Sequence, residues 1–204
     1  MIHRGMTYEL FKDLKRSGCT CIDFGMESAS NKVLKLMNKF YTADIAERVV
    51  RDCARAGIMT AINIIVGFPG ETWEDFMETV RFVERNKDYI HAVINVGTLM
   101  LTPGSEVSMF PEKFGIKKDP ETGSWKDDYG NTLEGRNEKL EYMLDVLQKL
   151  RIPVQIINRE LPPKPEGPVD EKAREGIELK DKGPKPIRIK AVRIFNQAGH
   201  EYVK

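Results

Sequence analysis

The sequence predicts an α/β fold built around a parallel sheet, and three observations support this prediction. Apolar segments rich in β-branched residues alternate with segments whose apolar residues have helical spacing. The strand-like segments recur about every 30 residues, which is the spacing of βαβ units with right-handed crossovers. Each strand-like segment ends in polar or glycine-containing residues, and parallel sheets bind ligands at those carboxyl ends.

The individual elements follow from start and stop signals along the chain. Residues typical of helix N-caps mark the predicted helix starts: Thr7, Ser30, Thr42 and Thr72. The first helix is predicted to carry Leu10, Phe11 and Leu14 on one face and to end at Gly18, and the third is predicted to end at Gly57. The predicted strands cover residues 19–26, the first half of 62–72, and 90–101.

The second half of the chain is less regular. Residues 109–136 are predicted to form a surface loop, and an amphipathic helix with Leu140, Met143 and Leu147 on one face is predicted to follow, with a short strand at PVQII. Residues 161–186 hold six of the eleven prolines among Lys and Glu, which predicts a disordered linker. A β-hairpin is predicted near the end. The expected divisions are therefore 1–108, 109–160, 161–186 and 187–204.

Composition excludes several classes of protein. The 32 basic and 31 acidic residues balance, so the total charge predicts neither a nucleic-acid partner nor a membrane surface. No apolar run approaches the roughly 20 residues that span a bilayer. The odd number of cysteines, 3, is unlike a secreted disulfide framework, and we expect a cytoplasmic protein. Three histidines and three cysteines leave little capacity for metal binding.

A set of ordered motifs resembles a known family. GCTCIDFGMES, VLKLMNKFYT, a helix ending in AGI, GFPGET and TPGS follow one another in the chain. In this order they resemble the C-terminal part of the core domain of radical S-adenosylmethionine (radical SAM) enzymes, over roughly residues 4–107. Within that superfamily the chain is most similar to members that carry a cobalamin-binding domain.

The resemblance implies a fold and a chemistry. The fold would be the later units of a half-open, TIM-like (βα) barrel, which is a partial barrel fragment. The cofactors would be S-adenosylmethionine, a four-iron four-sulfur cluster and, in a longer protein, cobalamin, with flavodoxin or ferredoxin as electron donor. In such enzymes the reduced cluster cleaves S-adenosylmethionine and yields a 5′-deoxyadenosyl radical. Three cysteines spaced CxxxCxxC hold the cluster, and this chain lacks that spacing.

The three cysteines of the chain do not match the cluster motif. Cys19 and Cys21 are one residue apart on a predicted strand, and Cys53 lies on the apolar face of a predicted helix. We expect Cys53 and at least one of the others to be small core residues. The chain alone is therefore expected not to cleave S-adenosylmethionine, and Met1 is interpreted as an internal residue of a longer protein. Half a barrel is also expected to self-associate through its open strand edge.

The resemblance assigns candidate cofactor contacts at the predicted carboxyl edge of the sheet. Glu27 and Ser28 would bind the ribose or amino-acid end of S-adenosylmethionine, although Glu27 could instead cap the following helix. Ile65 would pack on the adenine, and Gly67 would allow the ligand to approach the backbone. A core residue and a turn glycine are the alternative interpretations of these two positions.

The remaining candidates have weaker support. Glu71 either contacts the ligand or braces the loop and the helix start. Lys39 resembles a residue that reaches the cofactor carboxylate, although an exposed lysine is usually only solvated. Thr102, Pro103 and Gly104 resemble a loop whose backbone pairs with the adenine edge.

Other residues are assigned no ligand. Asp127 and Asp128 beside Gly130 lack the spacing of a calcium loop. Trp125 is expected to anchor its loop, and Arg136 is a possible substrate contact. No residue is assigned as catalytic or as a metal ligand.

Two functions follow. The first is a fragment of a radical SAM enzyme that acts on an unknown substrate. The alternative is a non-catalytic binding or interaction module that retains the half-barrel as a scaffold. A third possibility, an α/β enzyme that binds phosphate, has no G-x-G-x-x-G or P-loop to support it.

Overall fold

The computed structural model describes residues 2–122 and 124–158, together with two short strands near the end of the chain. These residues fall into two units, Met1–Lys164 and Pro165–Lys204, which are described separately. The second unit contains an antiparallel pair, Ile194–Phe195 with Glu201–Tyr202, in the segment where a hairpin was predicted. The predicted linker at 161–186 lies outside the described residues, and the domain boundaries remain predictions.

The first unit alternates strands and helices. Its strands are β1 (Cys21–Glu27), β2 (Met59–Val66), β3 (Ala92–Thr98), β4 (Lys117–Lys118), β5 (Trp125–Lys126) and β6 (Val154–Asn158). Its helices are α1 (Tyr8–Arg16), α2 (Asn31–Leu36), α3 (Ala43–Arg55), α4 (Trp73–Arg85), α5 (Glu106–Met109) and α6 (Leu133–Lys149), with a 3₁₀ turn at Pro111–Phe114.

Four parallel strands form one sheet in the order β1-β2-β3-β6. The predicted α/β class is therefore confirmed, and the PVQII segment is the edge strand β6. The third strand is shorter than the predicted 90–101. Ile90 belongs to the turn after α4, where its amide N–H donates to the Asn86 carbonyl at 3.1 Å, so the strand begins only at Ala92.

The two faces of the sheet differ because successive side chains on a strand point in opposite directions. One face packs against the helices and forms the core, with Phe24, Met26, Ile62, Ile64, Val66, Val93 and Val96 all buried. The opposite face carries Asp23, Asn63 and Ile65, which are partly or fully exposed. The carboxyl edge of this open face is where the candidate residues were expected.

The predicted helix starts are confirmed. Thr7 accepts a hydrogen bond from the Leu10 amide at 3.3 Å, and Thr72 forms a reciprocal capping box with Asp75. The apolar residues of α1 are not equally buried, because the exposed fraction of Leu10 is 41%, whereas Phe11 beside it is 1% exposed. The helix therefore buries a narrower stripe than its apolar pattern indicates.

Asp75 links α4 to the start of α2. Its carboxylate accepts hydrogen bonds from Lys32 Nζ at 2.6 Å, the Thr72 amide at 2.9 Å and Ser30 Oγ at 3.0 Å. Burial acts to raise the pKa of Asp75, but the hydrogen bonds from Lys32, Thr72 and Ser30 outweigh burial and lower it to about 2. The ionised form is thus favoured in the folded protein.

Replacement of Asp75 by Asn is expected to lower the free energy of unfolding at neutral pH by about 2 kcal/mol, because the charged acceptor is lost. The folded pKa of Asp75 is depressed, so its stabilisation is present above the unfolded pKa and is lost as pH falls towards 2. Urea unfolding at pH 7 and pH 3 measures this: the gap between wild type and Asp75→Asn should narrow at pH 3. An equal gap at both pH values would contradict the assignment.

The predicted surface loop at 109–136 is more ordered than expected. It begins at the last residue of α5, contains the 3₁₀ turn and the β4–β5 pair, and ends within the first residues of α6. Trp125 is 5% exposed and Arg136 is fully buried, with the guanidinium carbon 3.8 Å from the centre of the Trp125 ring. The anchoring role expected for Trp125 therefore fits its position, and Arg136 is a core residue.

No helix in the described part of the chain is long and apolar enough to cross a membrane. Met59 of β2 is 53% exposed, and Ile156 of the edge strand β6 is 47% exposed. Self-association through the open strand edge remains a prediction.

Candidate functional site

A row of polar side chains crosses the open face of the sheet. Asn95 Nδ2 donates to Asn63 Oδ1 at 2.9 Å, and Asn63 Nδ2 donates to Asp23 Oδ2 at 3.4 Å. Asn63 and Asn95 are direct partners in the β2–β3 register. Because carboxamides and carboxylates both bind polar groups, this face can hydrogen-bond a ligand in a way that an apolar sheet face cannot.

Glu27 stands where β1 ends at the carboxyl edge. Its φ of 66° is in the left-handed region, which is uncommon for a residue other than glycine, and the β1–β2 register shifts between Phe24 and Glu27. A Cβ on Gly25 would lie 2.9 Å from Glu27 Oε1, so the glycine leaves room for this carboxylate. Strained backbone of this kind is often found at functional sites.

A cavity of about 330 Å³ lies against this edge. Its lining includes three of the residues predicted to bind the cofactor: Glu27, Ile65 and Thr102. It also includes Asn63, Asn95, Gly97 and Thr98. The cavity therefore joins a carboxylate, two carboxamides and an apolar side chain, a mixture that suits a ligand with both apolar and polar groups.

Thr98 provides a separate sign that this cavity binds something. The residue is 2% exposed, and its hydroxyl oxygen has no hydrogen-bond partner in the described part of the protein. Buried hydroxyl groups are nearly always hydrogen-bonded, and leaving one unpaired costs about 1–3 kcal/mol. Since Thr98 lines the cavity, a bound ligand or water would supply the missing partner.

The structure favours the alternative interpretation of Gly67, a turn glycine. Its φ is 73°, as expected for the glycine of a turn, but the space beside it is filled by Arg136. A Cβ at position 67 would lie 2.4 Å from Arg136 Cγ. Glycine is therefore required by the loop geometry and by the packing of Arg136, and the residue does not line the cavity.

Glu71 braces the loop. Its side chain is 1% exposed and accepts hydrogen bonds from the Gly67 amide at 2.7 Å and from Lys139 Nζ at 3.0 Å. Burial raises the pKa of Glu71, and the attraction of Lys139 partly opposes that shift. The two groups that donate to the Glu71 carboxylate both belong to the protein. The geometry therefore supports a role for Glu71 in bracing the loop.

Further hydrogen bonds join the loop after β2 to α6 and to the segment that precedes α6. Asn131 Nδ2 donates to Asp127 Oδ2 at 2.7 Å, and its Oδ1 accepts from Lys139 at 2.8 Å. Asp127 Oδ2 also accepts from the Gly70 amide at 2.8 Å. We name these four side chains the loop clamp: Glu71, Asp127, Asn131 and Lys139. The clamp fixes the segment that follows β2 and thereby one wall of the carboxyl edge.

Ser28 faces away from the cavity. It is fully buried, and its hydroxyl lies 3.2 Å from Thr79 Oγ1 on α4 and accepts from the Ser30 amide at 3.1 Å. The expected contact between its side chain and the cofactor is therefore not supported by its position. Ser28 instead joins the end of β1 to the helix behind it.

Of the other candidates, Lys39 lies near the cavity, whereas Pro103 and Gly104 do not line it. Lys39 Nζ lies 3.6 Å from Glu27 Oε1, with the two side chains 19% and 18% exposed, so Lys39 reaches the edge of the site. Pro103 and Gly104 are exposed and do not line the cavity. Thr102, the residue before them, does line the cavity.

The described residues do not fit a metal cluster. They contain no group of three or more His, Cys, Asp or Glu side chains that could hold a metal ion. Cys53 is buried, as predicted, and burial raises the pKa of its thiol. Cys19 is partly buried against the core, and Cys21 is exposed.

Asn63, Asn95 and Lys139 were not predicted from the sequence, and Arg136 was considered only as a substrate contact. Asn63 and Asn95 interrupt apolar strand segments, and Asn63 shares the face of Ile65 because it lies two residues before it. Lys139 and Arg136 occupy positions of α6 that share a face with Leu140 and Met143. Polar or charged residues at core positions were thus the signal that could have identified both groups.

Comparison with known proteins finds a family model that matches the first part of the chain. The family model described as the Radical SAM superfamily matches residues 2–83. An uncharacterized protein of Methanocaldococcus jannaschii is 28% identical over 138 residues, covering 68% of this chain and 37% of that protein. The ribosomal protein uS12 methylthiotransferase RimO of Clostridioides difficile is 42% identical over 88 residues, covering 40% of this chain and 19% of that protein.

A solved structure supports the fold. Elp3 of Methanocaldococcus infernus superimposes with a TM-score of 0.54 at 17% identity, covering 76% of this chain and 33% of that one. The chain thus spans between 19% and 37% of the length of these two curated relatives. The resemblance to the radical SAM superfamily is confirmed, and so is the partial-barrel fold.

Proposed function

We propose, from the premise that residues 2–83 are a radical SAM segment, that this chain supplies the S-adenosylmethionine-binding side of a radical SAM active site. The observation that carries the proposal is the cavity at the carboxyl edge, where Glu27, Ile65 and Thr102 come together. The sequence alone predicts that all three residues contact the cofactor. A shared cavity is the arrangement that such a role requires.

The donor and acceptor set of the cavity suits S-adenosylmethionine. The Glu27 carboxylate can accept two hydrogen bonds from a ribose diol or attract the ammonium group of the amino acid. Ile65 offers an apolar surface to the adenine, and the unpaired Thr98 hydroxyl offers one more polar contact. Lys39, 3.6 Å from Glu27, can attract the carboxylate of the amino-acid end.

The contribution of these residues would be binding and orientation. When bound, S-adenosylmethionine supplies the sulfonium whose reductive cleavage generates a 5′-deoxyadenosyl radical. Glu27 and Lys39 would hold the polar ends of the molecule, and the loop clamp would keep the segment after β2 in place around it. Precise positioning of this kind is what the protein provides in cofactor chemistry.

The described residues do not fit the cluster, because none of them form a group of three or more His, Cys, Asp or Glu side chains that could hold metal ions. In this proposal its ligands come from a part of the barrel other than the residues described. The electron donor, cobalamin and the substrate likewise belong to the longer protein. The match to RimO, a methylthiotransferase by name, supports the family and leaves the substrate of this chain open.

Two variants test the proposal. Thr98→Val removes the unpaired hydroxyl, so the free protein should be as stable as wild type or more stable, while affinity for S-adenosylmethionine should fall by about two- to tenfold. Glu27→Gln should lower that affinity by at least about tenfold, because a charged acceptor is lost. Isothermal titration calorimetry measures the affinities, and urea unfolding measures the stabilities.

Glu84→Gln is the matched control, since Glu84 is an exposed residue of α4 outside the cavity lining. It should bind S-adenosylmethionine as wild type does. If Glu27→Gln and Glu84→Gln bind equally, Glu27 is not a ligand of the cofactor. If Thr98→Val is destabilised instead, its hydroxyl has a partner within the folded protein and the argument from the cavity is lost.

A further inference from the structure

A second cleft lies outside the cofactor cavity. Its volume is about 300 Å³, and it is formed by the segment between α2 and α3 together with the residues before α1. Three cationic side chains line it: Arg4, Lys35 and Lys39. Phe40 lines it as well and is 71% exposed, the largest exposed fraction among the exposed large apolar residues of the described chain. We name this the outer cleft.

The backbone around the outer cleft is held in place. Tyr41, which lines the cleft, donates its hydroxyl hydrogen to the Met26 carbonyl at 2.6 Å and is 4% exposed. Arg48 on α3 donates to the Arg4 carbonyl at 2.8 Å. The side chains of Arg4 and Phe40 are therefore presented from fixed positions. A preformed surface loses less entropy when a ligand binds.

The charges in the outer cleft favour an anion. No carboxylate is among its lining residues within the described chain, and the structure pairs Lys39 with Glu27 at 3.6 Å but assigns no ion pair to Arg4 or Lys35. Lysine and arginine without a carboxylate partner are typical of sites that bind phosphate. The total charge of +1 concealed this local excess of positive charge.

Phe40 narrows the class of anion. A phenylalanine exposed to 71% gains little from folding, so its apolar ring is available to a partner. Free phosphate has no group that contacts a ring, whereas a nucleotide has a flat base beside its phosphate. Stacking of a base on an aromatic ring contributes about 1–3 kcal/mol, and single-stranded nucleic acids are bound by such rings interleaved with cations.

We propose that the outer cleft binds single-stranded nucleic acid, with a base stacked on Phe40 and adjoining phosphates bound by Arg4 and Lys35. This inference does not depend on the cofactor cavity, because Arg4, Lys35 and Phe40 are absent from the lining of that cavity. RNA and DNA share the required base and phosphate chemistry. The 2′-hydroxyl group of RNA distinguishes them.

Fluorescence anisotropy of the 204-residue protein with labelled oligonucleotides of about 12 residues, one RNA and one DNA, tests the proposal. Phe40→Leu should weaken binding by about fivefold or more. Lys35→Gln should weaken binding and reduce the slope of log affinity against log salt concentration by about 1. If RNA binds more tightly than DNA, and if Phe40→Leu and Lys35→Gln weaken binding of both, the cleft also contacts the 2′-hydroxyl group.

Matched controls come from the same chain. Phe110→Leu changes another exposed phenylalanine, at 49% exposure, and Lys87→Gln changes another exposed lysine. Both should bind like wild type, and circular dichroism should show that all four variants are folded. The proposal is overturned if neither oligonucleotide binds or if the controls lose as much affinity as the cleft variants. Binding to phosphatidylserine vesicles is measured in parallel. The proposal is also overturned if the cleft variants weaken binding to these vesicles but not to the oligonucleotides.

Discussion

Replacement of Lys139 by Met should lower the free energy of unfolding by about 3–5 kcal/mol, one of the largest effects expected for a single side chain here. Lys139 is 3% exposed by its side chain and faces Glu71, which is 1% exposed. Its Nζ also donates to the Glu71 carbonyl at 3.0 Å and to Asn131 Oδ1 at 2.8 Å. The substitution leaves the buried Glu71 carboxylate without its cationic partner and Asn131 Oδ1 without a donor, although the Gly67 amide still donates to the carboxylate.

The control for this variant is on the same helix. Lys149 pairs with Asp145 at 2.6 Å, but the two side chains are 73% and 56% exposed. Lys149→Met should therefore change stability by less than about 0.5 kcal/mol. Urea unfolding measures the stability of both variants. Equal losses of stability in Lys139→Met and Lys149→Met would show that Lys139 and Glu71 do not form a buried ion pair.

The Lys139→Met variant should also show a distinct pH dependence. Burial raises the pKa of Glu71, and removal of Lys139 removes the main attraction that opposes this shift. Since the folded pKa lies above the unfolded one, the folded state holds a proton that the unfolded state releases. Stability of the variant should thus fall as pH rises from about 5 to 8, above the ordinary pKa of a glutamate. A variant equally stable across this range would contradict the assignment.

Replacement of Gly67 by Ala should cost about 2–5 kcal/mol of unfolding free energy. About 1–2 kcal/mol comes from holding alanine at φ 73°, and about 1–3 kcal/mol comes from the contact with Arg136 Cγ, which would be 2.4 Å away. Arg136 cannot easily move, because its guanidinium donates to the Trp125 carbonyl at 2.8 Å and to the Asn131 carbonyl at 2.6 Å.

Gly115 separates these two contributions. Its φ is 65°, close to that of Gly67, but no atom lies within 4 Å of the position of an added Cβ. Gly115→Ala should therefore show the conformational cost alone, about 1–2 kcal/mol. Thermal and urea unfolding of both variants test this: if Gly67→Ala were no more costly than Gly115→Ala, the packing of Arg136 would not be what requires glycine at position 67.

The local pattern of the sequence was sufficient to predict the sheet and the helices. Alternation of apolar segments with capped helical segments is a short-range signal, and Thr7 and Thr72 cap their helices as expected. The cavity could be predicted in part for the same reason. Glu27, Ile65 and Thr102 each stand at or just beyond the end of a strand, and parallel strands bring such ends to one edge.

What could not be predicted depends on contacts between distant parts of the chain. Gly67 resembles the glycine of an open turn until Arg136, which is 69 positions later, is seen to fill the space beside it. Glu71 could equally have contacted a ligand, and only the position of Lys139 decides for the brace. Ser28 was expected at the cavity because it follows Glu27, but its partner Thr79 is on the other side of the sheet.

The central claim is that the cavity at the carboxyl edge of the sheet binds S-adenosylmethionine, and an NMR titration of the backbone amides tests it most directly. The method detects weak binding, which is expected when the described residues form only one side of the binding site. Saturable shifts should cluster at the cavity, at the amides of Glu27, Ile65, Gly97, Thr98 and Thr102. Shifts that do not saturate, or that cluster away from these residues, would contradict the claim.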